Sequence, residues 1–265
     1  MNFNFEEKKW NQWLAGVIDG DGYLAIQKNK VAICEITMPL SDEFLLAQIK
    51  QKLGGKIRSR SGAKAVRYRL AHKSGIIELI HRINGSIRNT SRVPQFQKLC
   101  EKFDILFEPA SKFQIQNGYM AGFFDADGTL YIHVTRVSPI HATQKGVFGK
   151  INRLYLSQGQ NQLRISISNK YESNVAFLAD VFKFGKIYKK NHKNKSHYSW
   201  EVTNPMDILL FCDYLKKYPA RSEKRKRVFL IERYFELKQM KAHLASPGNE
   251  QNKAWLKFCK KWYLG

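Results

Sequence analysis

One ten-residue phrase occurs twice in the chain. WLAGVIDGDG begins at Trp13 and YMAGFFDADG at Tyr119, and the two align without a gap. A chain that repeats itself at this distance builds one supersecondary unit and uses it twice, which removes most single-core architectures from consideration. A second echo supports the division: Gly55-Lys56-Ile57 returns as Gly185-Lys186-Ile187, and Tyr68 returns at the same spacing as Tyr198. The second echo comes late in the second half, so that half carries an insertion of roughly two dozen residues. It falls within about 134–160, and its basic, turn-rich sequence is expected to form an inserted surface hairpin.

Each half has the same coarse plan. A helix leads into each Asp-x-Asp-Gly, and Gly22 and Gly128 are expected to end it in the left-handed conformation. Alternating segments at 31–37 and 163–168 have the period of two of half-buried strands. Helices follow at about 42–53 and 173–183, each ending at a glycine. Next comes a basic hairpin, with strands at 57–60 and 66–70 around Ser61-Gly62 in the first half and its counterpart at 186–199 in the second. Amphipathic helices close the halves at about 74–84, 94–107, 205–217 and 222–241. The expected layout is a first repeat at 1–105, a linker at 106–112, a second repeat at 113–241 and a tail at 242–265. The tail is expected to hold a short helix that packs Trp255, Phe258 and Trp262 back on the body.

The repeated phrase holds two features that need separate explanations. Ala15, Gly16 and Gly20 in one helix, and Gly118, Ala121, Gly122 and Ala126 in the other, form small-residue stripes. A glycine inside a helix costs roughly 1 kcal/mol relative to alanine, so the stripes imply a close helix–helix seam. Asp19, Asp21, Asp125 and Asp127 stand at helix C-termini, where the macrodipole is already negative and carboxylates are disfavoured. Their repetition in a chain poor in acids points to a bound cation, and the exposed carbonyls of the last turn would add oxygen ligands of the kind Mg²⁺ takes. Calcium loops of the EF-hand type are excluded. Counting from Asp19, the sixth and twelfth positions are Leu24 and Lys30; from Asp125 they are Leu130 and Arg136.

Charge narrows the partner. Lys and Arg number 45 against 22 acidic residues, a net +23, and such an excess repels itself unless a polyanion relieves it. No apolar run approaches the roughly 20 residues that span a bilayer, so no membrane partner is expected. The N-terminus lacks the basic-then-apolar pattern of a secretory signal, so secretion is not expected either. Cys34, Cys100, Cys212 and Cys259 lie far apart and read as reduced thiols. His192 and His197 share a lysine-rich turn, read as a phosphate-facing loop.

The two phrases, each at the head of a repeat in a strongly basic chain, resemble the signatures of a single-chain LAGLIDADG homing endonuclease. The resemblance in plan covers about residues 5–240. It implies an α+β fold of two pseudo-symmetric αββαββα repeats, with paired central helices and saddle-shaped antiparallel sheets lying along DNA. By the same resemblance, Asp21 and Asp127 bind the catalytic metals, helped by the carbonyls of Gly20 and Ala126, while Asp19 and Asp125 support them from behind. A basic residue late in each repeat, Arg92 and Lys224, would assist catalysis. Glu35, Thr37, Arg58, Arg60, Arg67 and Arg69 would face one half-site; Arg164, Ser166, Ser168, Lys186, Tyr188, Lys190 and His197 would face the other. Their different chemistry predicts an asymmetric target, which arginines read at guanine while lysines hold phosphates.

The implied reaction is metal-dependent hydrolysis of double-stranded DNA, leaving short 3′ overhangs. Mg²⁺ or another divalent cation such as Mn²⁺ would serve, and Ca²⁺ would bind without supporting efficient cleavage. The protein is expected to act as a monomer in an organelle, mitochondrion or chloroplast. An intron RNA maturase on the same fold, or a dual-role protein, remains open at this point.

Overall fold

The computed structural model describes residues 3–192 and 195–265. The first repeat runs α1 (Phe5–Asp21), β1 (Gly22–Ile26), β2 (Ala32–Pro39), α2 (Glu43–Leu53), β3 (Lys56–Ser59), β4 (Ala65–Leu70), α3 (Lys73–Ile83) and α4 (Val93–Lys102). The second begins with α5 (Tyr119–Asp127) and β5 (Gly128–Val134). Two helices then intervene, α6 (Pro139–Ala142) and α7 (Gly146–Tyr155). The plan resumes with β6 (Asn161–Asn169), α8 (Ser173–Phe182), β7 (Lys186–His192), β8 (Lys195–Val202), α9 (Pro205–Lys217), α10 (Lys224–Val228) and α11 (Ile231–Gln239), and α12 (Glu250–Leu264) forms the tail. The turn between β7 and β8, read above as a phosphate-facing loop, lies outside the described residues.

The strands form two four-stranded antiparallel sheets of identical order, β1-β2-β4-β3 and β5-β6-β8-β7. The αββαββα plan is therefore present twice. In the first sheet Glu35 pairs with Arg69 and Thr37 with Arg67, and β3 sets Lys56 against Arg69 and Arg58 against Arg67. Because side chains alternate across a strand, these residues share one face. Cys34, Ile36, Met38, Val66, Tyr68 and Leu70 point the other way into the core, each at most 2% exposed.

Three expectations are corrected. The insertion at 134–160 is helical, not a hairpin. Ile151 and Leu154 lie three apart and are buried, which is a helical spacing. The tail supplies their cover: α7 packs on α12, Tyr155 donates to Asn252 Oδ1 at 2.7 Å, and Trp255 Nε1 donates to the Tyr155 carbonyl at 3.3 Å. Second, Gly22 and Gly128 are extended, with φ of −77° and −73°. Glycine is needed there for room, since a Cβ on Gly22 would sit 2.6 Å from the Ile18 carbonyl oxygen and one on Gly128 would strike Phe124. Third, α8 ends at Lys183, which takes the left-handed conformation at φ 61°, and not at a glycine. A capping bond from its N–H to the Ala179 carbonyl at 3.0 Å offsets part of that cost.

The chain divides into two compact units. One comprises Met1–Gly128, Ile167–Trp200 and Lys217–Glu223, and the other Thr129–Ser166, Glu201–Lys216 and Lys224–Gly265. The first holds both signature helices and the entire first sheet. In the second, Trp255, Phe258 and Trp262 of α12 are buried, with Trp255 and Phe258 stacked at 5.4 Å and Tyr234 of α11 set against both. All four cysteines are free and buried.

Candidate active site at the ends of the signature helices

Helices α1 and α5 meet backbone to backbone. A Cβ on Gly16 would collide with the Tyr119 carbonyl and lie 2.6 Å from the Phe123 nitrogen; one on Gly122 would collide with the Trp13 carbonyl. A Cβ on Gly118 would lie 2.7 Å from the Lys9 carbonyl oxygen, and the Gly118 N–H donates to Gln12 Oε1 at 2.8 Å. Ala15 and Ala121 are buried in the same helices. Any larger residue at the glycines would force the helices apart.

The seam ends where the acids stand. Asp21 and Asp127 are the last residues of α1 and α5, and both are half-buried. A Cβ on Gly20 would strike that of Ala126 and sit 3.5 Å from Asp127 Oδ2. The two helix ends therefore bring Gly20 against Ala126 and Asp127.

Asp19 and Asp125 do a different job. They are 0% and 3% exposed. Asp19 Oδ2 accepts from the N–H groups of Arg88 and Asn89, at 2.7 and 3.1 Å, and from the Tyr119 hydroxyl at 2.6 Å. Asp125 Oδ2 accepts from Arg221 N–H at 2.7 Å and Trp13 Nε1 at 2.8 Å, and its Oδ1 accepts from the Ser222 N–H and hydroxyl at 2.9 and 2.6 Å. The arrangement is reciprocal. Each acid ties a loop of its own repeat to the aromatic that opens the other repeat's signature. Burial pushes the Asp19 carboxyl up to about 6, against the opposing pull of its Tyr119, Arg88 and Asn89 hydrogen bonds and the Arg92 charge. Asp19 Oδ1 has no hydrogen-bond partner among the described residues.

Arg92 stands at the start of α4, where its Nε and Nη2 each reach a carbonyl of the last turn of α1, Ile18 and Gly20, at 3.3 Å. A cation is favoured at that end of a helix. The paired loops give a register for the second repeat. Arg88 and Asn89 correspond to Arg221 and Ser222, so three residues beyond Asn89 and Ser222 come Arg92 and Arg225. In this register Lys224 corresponds to Ser91; Lys224 is half-buried, while Arg225 is exposed, with its guanidinium over the Phe229 ring at 5.3 Å.

Glu35, Arg58, Arg60, Arg67 and Arg69 line a hollow of about 730 Å³ on the outer face of the first sheet. Glu35 is not free to read a base on its own: it holds Arg69 at 2.7 Å and Arg67 at 3.6 Å, and Arg69 also donates to Gln27 Oε1. Thr37 is on the same face, and so is Lys56, which sequence reasoning missed although it continues the period of Arg58 and Arg60. In the second repeat Lys186 and Tyr188 are exposed, and Arg164, Lys190 and His197 half-buried. Ser168 Oγ donates to Ser199 Oγ at 3.1 Å. Ser166, expected to face DNA, is 7% exposed and offers a base almost no surface.

The sequence model described as LAGLIDADG endonuclease matches residues 14–103 and 120–235, one stretch per repeat. The intron-encoded RNA maturase bI4 of Saccharomyces cerevisiae is 42% identical over 96% of this chain, which spans 36% of that protein. The probable intron-encoded endonuclease aI2 of Debaryomyces hansenii is 39% identical, with 98% of this chain and 38% of that protein covered. The chain thus spans less than two fifths of the length of these curated relatives. The intron-encoded DNA endonuclease ai2b of Dictyostelium discoideum is 31% identical over 97% of this chain and 90% of its own. Among solved structures, the I-LtrWI LAGLIDADG homing endonuclease bound to target DNA has the same fold, with a TM-score of 0.71 at 14% identity over 97% of this chain and 98% of that one. The reciprocal signature helices, the doubled sheet order and these matches lead to one conclusion: this chain belongs to the LAGLIDADG endonuclease family.

Proposed function

We propose that this chain cuts double-stranded DNA at one long, asymmetric site, one strand at Asp21 and the other at Asp127. One observation carries the reading. Both carboxylates end seam-packed helices whose contact leaves no space for a side chain on Gly20. Helix packing alone does not call for an acid at the negative end of a dipole, whereas a cation shared with a phosphate does.

The donors suit Mg²⁺ or Mn²⁺: two carboxylates and the Gly20 and Ala126 carbonyls are hard oxygen ligands, and such ions are commonly held by one or two carboxylates with substrate phosphate. When bound, the ion would polarise the phosphoryl oxygen and stabilise the leaving oxygen. Ca²⁺ would occupy the site without efficient turnover. Arg92 keeps a fixed positive charge at the same helix end, where the charge developing on the phosphate needs an opposite one. Lys224 is proposed as the counterpart in the second repeat. Asp19 and Asp125 hold these groups in place from inside the seam. Arg58, Arg60, Arg67 and Arg69 would read bases of one half-site, with Glu35 aligning two of them, and Thr37 and Lys56 beside them. The second repeat would use Arg164, Lys186, Tyr188, Lys190 and His197.

The division into repeats at 1–105 and 113–241, with the linker between them, belongs to the same reading, as do action as a monomer and residence in an organelle. The test is incubation with a library of randomised duplexes, with Mg²⁺ and separately with EDTA, followed by sequencing of the cut ends. Mg²⁺-dependent ends sharing one site, absent with Asp21→Ala/Asp127→Ala, are expected. Metal-independent ends, or ends that survive the double substitution, would overturn it.

A second reading has its own support, since a relative 42% identical along nearly the whole chain is named an RNA maturase. Tight, sequence-selective binding of a structured intron RNA, with splicing that survives loss of both acids, would favour it.

A further inference from the structure

The reciprocal bonds across the seam do more than hold two helices together. Tyr119 belongs to the second signature, yet its hydroxyl donates to Asp19 of the first. Asp19 in turn holds Asn89 twice: its carboxylate accepts the Asn89 N–H, and its own carbonyl accepts from Asn89 Nδ2 at 2.7 Å. The Asn89 carbonyl accepts from Arg92 N–H at 2.8 Å and Val93 N–H at 3.0 Å, which starts α4 and fixes where Arg92 stands. Arg92 then reaches the Gly20 carbonyl, one residue from Asp21. A continuous path of hydrogen bonds thus runs from an aromatic of one repeat to the basic residue beside the acid of the other.

The mirror path begins at Trp13, whose indole N–H donates to Asp125, and Asp125 takes the N–H groups of Arg221 and Ser222, two residues before Lys224. Each path has the same lateral support. The Arg88 guanidinium lies over Tyr119 at 5.4 Å, and that of Arg221 over Trp13 at 4.7 Å. The two are not equally strong. The Asp125 carboxylate is bonded at both oxygens, whereas Asp19 relies on Oδ2.

We propose that Tyr119 and Trp13 are positioning residues, each fixing the loop of the opposite repeat that delivers its basic residue to the cleavage centre. Tyr119 governs the centre of Asp21 and Trp13 that of Asp127. Neither aromatic touches the reacting atoms. The coupling is a property of the folded protein, while its effect on cleavage rests on the endonuclease reading.

The deciding measurement is amide hydrogen exchange by mass spectrometry on the full chain, which needs no substrate. Tyr119→Phe removes one hydroxyl and should speed exchange in peptides covering 88–93 by roughly tenfold, leaving those covering 221–226 unchanged. Trp13→Phe should do the reverse, with the smaller effect, and Trp13→Tyr, which restores a donor of the kind found in the other repeat, should recover protection. Uniform acceleration of both loops, or none, would overturn the proposal. If Tyr119→Phe fails to fold, the Trp13 pair carries the same comparison. In single-turnover cleavage, Tyr119→Phe should slow one strand roughly tenfold, the strand lost in Asp21→Asn, and change the other less than about twofold. Equal slowing of both strands would count against it. A wild-type protein that cuts no duplex would end the endonuclease reading and leave the exchange result to decide this one.

Discussion

Asp19 and Asp21 are two residues apart on one helix and have opposite surroundings. Asp19 is fully buried and Asp21 half-buried at the helix end. The titration of Asp19 therefore leaves a mark on stability. Its carboxyl is pushed up to about 6 in the fold from an ordinary 3.8, so between those values the folded chain binds more proton than the unfolded one. The resulting stability is present below about pH 4 and lost as pH rises through 6, a change of roughly 3 kcal/mol at most. Denaturant melts in EDTA at pH 4.5 and 7.5 should show that fall for the wild type, and Asp19→Asn should flatten it. An unchanged slope would mean that Asp19 is not the group responsible. Asp21 and Asp127 were legible in the sequence because the repeat exposes them as a pair placed against the dipole. The partners of Asp19 and Asp125 were not. Trp13 and Tyr119 reach acids more than 99 residues away in the chain, and each looks locally like one more apolar residue on a buried helix.

At the scale of elements, the seam of α1 and α5 is the tightest demand the fold makes. Adding one methyl at Gly16 or Gly122 places it against backbone of the facing helix, which no rotamer change can relieve. Gly16→Ala and Gly122→Ala should each destabilise the protein by at least about 2–3 kcal/mol in chemical denaturation. Gly62→Ala provides the comparison. Gly62 has φ 72° and nothing within 4 Å of an added Cβ, so only the backbone conformation is strained and a loss of roughly 1 kcal/mol is expected. Comparable losses at all three would mean that the helices can separate easily. Periodicity gave these elements away: small residues every four for the seam, alternation for Ala32–Pro39 and Ala65–Leu70, and a 3.6-residue period for α3 and α9. It failed in the insertion. There basic and turn-forming residues masked the helical spacing of Ile151 and Leu154, whose apolar partners lie in α12 about a hundred residues on. The conformation of Gly22 and Gly128 was misjudged for a related reason. A glycine needed for space and one needed for positive φ look the same in a sequence.

For the whole molecule, charge sets the conditions under which everything else acts. On the proposed reading, a net +23 would draw much of the DNA affinity from released counterions. If six or more phosphates are neutralised, affinity measured by fluorescence anisotropy should fall by roughly three or more orders of magnitude between about 50 and 200 mM salt. A flat response would remove the backbone-contact picture. Composition points to a polyanionic partner but carries no information on which face would meet it; the face proposed here follows from strand register, which sets Arg58, Arg67 and Arg69 on one side. On the proposed reading, two centres each cut one strand, at Asp21 and at Asp127. The most direct test is strand-resolved cleavage of the recovered target by Asp21→Asn and by Asp127→Asn, with each strand separately labelled. Each variant is expected to nick a single strand, the two nicks falling on opposite strands and the lost cut slowing by at least about a thousandfold. Either variant cutting both strands at wild-type rates would contradict it.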